Sequence, residues 1–66
     1  MELNDLMRAI EAILFAAGER VEIGRLAQTL EVGPKDIVQA TDTLADQLAY
    51  DRRGIRILRL ETGYQM

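Results

Sequence analysis

DRRGIRILRLETGYQM, residues 51–66, is the stretch in which the hydrophobic period shifts from about 3.6 residues towards 2. Ile55 and Ile57 alternate with Arg56, and Leu58 and Leu60 alternate with Arg59. The phase slips between Ile57 and Leu58, which calls for a β-bulge or for a strand covered on different faces at different points. Glu61-Thr62-Gly63 reads as a three-residue hairpin loop with Gly63 in the left-handed position, and Tyr64-Gln65-Met66 opens a returning strand. A hairpin that ends three residues into its second strand leads us to expect a fragment of a longer protein.

Upstream of this hairpin the spacing is helical. LMRAIEAILFAA, residues 6–17, aligns Leu6, Ile10, Ile13, Leu14 and Ala17 on one stripe, with Ala9, Ala12 and Ala16 on a second, small-residue face. Arg8 and Glu11 are its only charges, so the helix is apolar around most of its circumference. Asn4 or Asp5 is the expected N-cap, and Gly18 the left-handed stop. Val21 is expected as a one-rung strand in the connector that follows. Ile23, Leu26, Ala27 and Leu30 repeat the helical stripe, with Gly24 costing about 1 kcal/mol in the first turn. After the turn at Glu31-Val32-Gly33, Pro34 opens a third helix whose inner face holds Ile37, Thr41, Leu44 and Leu48, flanked by Ala40 and Ala45. Helices near 4–17, 23–30 and 34–50, followed by a hairpin over 55–66, predict a mostly α fold with a small β-hairpin. This is the winged helix-turn-helix arrangement, a three-helix core plus a wing, in a single domain over residues 1–66.

Composition narrows the function. Sixty-six residues supply a small core, which usually needs a disulfide, a metal or a partner to supplement it. With no Cys and no His, disulfides are excluded and a transition-metal site is disfavoured, so oligomerisation or a neighbouring domain is left. No cofactor is expected. The longest apolar run, Ala12 to Ala17, is six residues, far short of a membrane span, and the acidic N-terminus MELND is unlike a secretory signal. We therefore expect a cytoplasmic location. Catalysis is unsupported: Thr41 and Thr43 fall on different faces of the third helix, Asp42 and Asp46 share a solvent-side face, and the glycines match no phosphate-loop spacing.

The charge is unevenly placed. Residues 1–51 carry a net −6, whereas residues 52–66 hold Arg52, Arg53, Arg56 and Arg59 against Glu61 alone, a net +3. Winged helices often read DNA through the third helix. Here the outward face of that helix presents Lys35, Gln39, Asp42 and Asp46, the wrong balance for a groove lined with phosphates. Weak, non-specific DNA contact by the four wing arginines is the most this face predicts. Charged residues at a sheet edge are better accounted for as a guard against strand aggregation.

AIEAILFAAGERV (residues 9–21), LAQTLEV (26–32), the helix from Pro34 and RGIRILRLETGYQM (53–66) together resemble the N-terminal domain of the segregation and condensation protein B family. The most specific pieces are ILFAAGE at 13–19 and the set Gly54, Ile55, Ile57, Glu61, Gly63, Tyr64, Gln65 and Met66. Two departures stand out: Arg20, where members often have Pro, and Glu22, where a Ser or Thr would cap the second helix. Family members carry a second winged-helix domain and an acidic tail, which the resemblance leads us to expect outside these 66 residues. The resemblance implies a non-catalytic homodimerisation module of the accessory subunit of a bacterial SMC–kleisin condensin. Its implied partners are a second copy, the kleisin subunit (ScpA) and, through it, SMC, at the nucleoid. The residues give their own reason for a dimer: Met7, Glu11 and Phe15 lie beside the core stripe and are the candidate interface. The competing expectation is that the wing folds back over Phe15 within one chain.

Overall fold

A computed structural model of the chain describes residues 1–51 and 56–66. The elements run α1 (Leu3–Ala17), β1 (Val21–Glu22), α2 (Ile23–Leu30), α3 (Pro34–Asp51), β2 (Leu58–Arg59) and β3 (Gly63–Gln65). The three strands form one antiparallel sheet in the order β1-β3-β2. The molecule is a mostly helical, winged-helix-like fold, as the spacing predicts.

Its core is made by one stripe from each helix. Leu6, Met7, Ile10 and Leu14 of α1 meet Leu26 and Ala27 of α2 and Ile37, Ala40, Leu44 and Leu48 of α3, all buried. Val21, Ile57 and Tyr64 close the core from the sheet side. Three positions of α1 differ from the expected stripe. Ala17 is exposed and Ile13 half-buried, while Met7 is only 2% exposed. The reason is rotational: seven residues return to within about 20° on a helix, so Met7 follows Leu14 inward. The helix also begins earlier than expected. Glu2, not Asn4 or Asp5, takes the N-cap position, with no side-chain cap, and its carbonyl accepts from the Leu6 N–H at 2.9 Å. Asp5 instead sits in the first turn, where a carboxylate favours the helix dipole. Gly18 ends the helix at φ 64°, as expected.

The start of α2 is secured from a distance. Glu22 offers no side-chain cap, yet the Ile23 N–H donates to the Thr62 carbonyl at 2.9 Å and the Thr62 hydroxyl donates to the Glu22 carboxylate. The wing therefore satisfies the first free N–H of the helix, one that a capping Ser or Thr side chain does not reach. At the other end, Glu31 takes the left-handed conformation, at φ 57°, and the Val32 N–H reaches back to the Ala27 carbonyl at 3.0 Å. Asp36 and Ile37 N–H groups both donate to the Gly33 carbonyl, which fixes the first turn of α3 behind Pro34.

The wing differs most from its sequence reading. Gly63 is the first residue of β3, and among the described residues the positive-φ glycine is Gly18. The turn is tighter than expected: the Leu60 N–H donates to the Gly63 carbonyl at 2.9 Å, leaving Glu61 and Thr62 as the loop. At the phase slip the strand is not covered on both faces. β2 pairs with β3 with Leu58 opposite Gln65 and Arg59 opposite Tyr64. Ile57 is buried, whereas Leu58 and Leu60 are 53% and 36% exposed, so their apolar phase is simply left on the outer face. Ile55 and the expected start of the hairpin lie outside the described residues.

Candidate interaction surfaces

Two surfaces follow from this packing. The first is the outer side of α1. Consecutive residues decide it: Leu14 is fully buried and Phe15 is 70% exposed. Phe15 lies roughly opposite the core stripe at the ~100° per residue of a helix, beside the exposed Ala12 and Ala16. The wing does not fold over it. Glu11 is half-buried and accepts from Arg8 Nη1 at 2.7 Å, while Arg8 Nη2 donates to Gln47 of α3 at 3.1 Å. Of the three interface candidates, Met7 is thus corrected: it is core. Eight residues separate it from Phe15, about 80° on the helix, enough to put one inside and the other in water.

The second surface is the outward side of α3 with the wing alongside. Asp42 accepts from Arg59 Nε at 3.1 Å, an ion pair with both side chains about half exposed. Arg59 is held because it shares a strand face with Ile57: the alternation that buries Ile57 turns Arg59 towards α3. Beneath this pair lies Tyr64, 4% exposed. Burial pushes its phenol above the ordinary value, the Asp42 carboxylate adds to that rise, and Arg59 opposes it. Beside Asp42 an open groove of about 580 Å³ runs between α2 and α3, lined by Ile23, Pro34, Lys35, Val38, Gln39 and Asp42.

For the four arginines proposed as a weak DNA contact, the outcome is divided. Arg56 is exposed, Arg59 is paired with Asp42, and Arg52 and Arg53 lie outside the described residues. The sequence reading passed over Gln47 and took Thr62 only as a loop residue. Each makes a long-range polar contact, with Arg8 and Glu22 respectively. No local spacing signals such a contact.

No helix among the described residues is long and apolar enough to cross a membrane. Nor do three or more His, Cys, Asp or Glu side chains cluster there so as to hold a metal.

Comparison with known proteins places the sequence. The chain is 39% identical over all its 66 residues to segregation and condensation protein B of Lachnoclostridium phytofermentans, and covers 35% of that protein. It is 41% identical over 63 residues to the protein of the same name from Agathobacter rectalis, with 88% of this chain and 32% of the relative aligned. With the Clostridioides difficile protein it shares 34% identity over its whole length and covers 38% of that relative. The chain thus spans about a third of the length of the curated relatives it matches. No solved structure matches it. Residues 8–66 match the model of the segregation and condensation complex subunit ScpB, and the chain belongs to that family.

Proposed function

We propose that this chain is a non-catalytic dimerisation and interaction module of the accessory subunit of a bacterial SMC–kleisin condensin, acting in chromosome condensation and segregation. Its partners in this reading are a second copy, the kleisin subunit (ScpA) and, through it, SMC, in the cytoplasm at the nucleoid. Family membership supports the identity of the complex. The observation that carries the dimer is Phe15, the chain's single phenylalanine, 70% exposed on α1. Burying a Phe side chain stabilises by about 1.5–3 kcal/mol, comparable to the few kcal/mol that a core of this size supplies. A small domain that leaves such a residue outside has a strong reason to cover it with a partner.

The rival reading, a DNA-binding transcriptional regulator, has less support. The outward side of α3 is acidic at Asp42 and Asp46, and Asp42 already engages one wing arginine. Light scattering across a dilution series tests the dimer. A dimer mass in the parent that falls to monomer in Phe15→Asp, with helicity retained, is the expected result. A parent that stays monomeric at its highest soluble concentration overturns the proposal.

A further inference from the structure

In a winged helix that meets a duplex, the outward face of the third helix and the adjoining wing approach the nucleic acid together. In this chain that junction is occupied from within. Arg59 comes from β2 and Asp42 from the middle of α3, 17 residues apart in sequence, and they meet at 3.1 Å. Both side chains remain about half exposed, so a phosphate could reach the guanidinium but for the carboxylate beside it. Asp42 acts twice: it neutralises the cation and repels a phosphodiester oxygen arriving at the same place. Arg56 is also exposed on the wing.

We propose that Asp42 closes the α3–wing junction to the phosphodiester backbone of duplex DNA by holding Arg59 in an intramolecular pair. Neutralising this one carboxylate turns the junction into a phosphate contact. The inference is independent of the dimer, since it concerns the opposite use of the fold and a different surface. Its size is bounded by what an exposed pair is worth: a few tenths to 1 kcal/mol, which converts to at most about a fivefold change in affinity.

The test is fluorescence anisotropy with a labelled duplex of arbitrary sequence at low salt, using the whole chain. Asp42→Asn is expected to tighten binding about three- to fivefold and to steepen the log–log salt dependence by about 0.9, one additional phosphate contact. Asp46→Asn makes the same change in net charge one turn further along α3 and is expected to gain less. Adding Arg59→Gln to Asp42→Asn is expected to remove the gain. Far-UV circular dichroism checks that each variant keeps its helices, which the half-exposed positions permit. The proposal is overturned if Asp42→Asn gains nothing, if Asp46→Asn gains as much, or if the gain survives Arg59→Gln.

Discussion

Gly63 lies against Val21 so closely that a Cβ on it would sit 2.5 Å from the Val21 carbonyl oxygen, 3.0 Å from its carbonyl carbon and 3.1 Å from the Cα of Glu22. All three atoms are backbone, so no side chain can swing away to make room. Gly63 is therefore required for close approach of strands and not for a left-handed turn. Gly63→Ala is expected to destabilise the fold by about 1–3 kcal/mol, the usual range for overpacking. Hydrogen exchange should show the loss first at the β1–β3 ladder and at Ile23, whose N–H depends on Thr62. Equal stability of the variant and the parent in urea would refute this reading.

Thr41 is fully buried on α3, and its hydroxyl has no hydrogen-bond partner among the described residues. An unsatisfied buried hydroxyl costs about 1–3 kcal/mol, whereas Val has nearly the same shape without it. Thr41→Val is expected to raise stability by about 1 kcal/mol in chemical denaturation. A loss of stability would mean that the hydroxyl is satisfied.

Leu14 and Phe15 are neighbours in sequence and opposites in environment. Leu14→Ala should cost about 2–5 kcal/mol, enough to unfold a domain of this size. Phe15→Asp, compared at concentrations where the parent is monomeric, should stay within about 0.5 kcal/mol of it. Thermal melts of the two variants decide the matter, and unfolding of a monomer by Phe15→Asp would show that Phe15 is core.

Tyr64 makes stability depend on high pH. Its phenol is raised above the ordinary tyrosine value of about 10, first by burial and then by Asp42. Between the ordinary value and the raised one the unfolded chain has lost this proton while the folded chain keeps it. Stability is therefore unaffected by Tyr64 below about pH 10 and falls as pH rises through that window. Urea melts from neutral pH upwards should show the decline, and Tyr64→Phe should remove the part due to this residue. An unchanged slope in the variant would assign the decline to other groups.

The helices were legible in the sequence because a period of about 3.6 needs only local residues to be read, and Pro34 and Gly18 mark a beginning and an end. The wing was announced in the same way by the fall of the period after Gly54. Family membership was legible too, since its motifs are linear. What lay beyond the sequence is what depends on two distant segments meeting. Ala17 belongs to the stripe of α1 by spacing and Met7 lies beside it, yet in the packed domain Met7 goes in and Ala17, the last residue of the helix, stays out. The role of Gly63 is set by Val21, 42 positions earlier, and the cap of α2 is set by Thr62. Arg59 reads as a free cation until the strand turns it onto Asp42. Local spacing determines which residues share a face; the contact that each face makes belongs to the packing of elements remote in sequence.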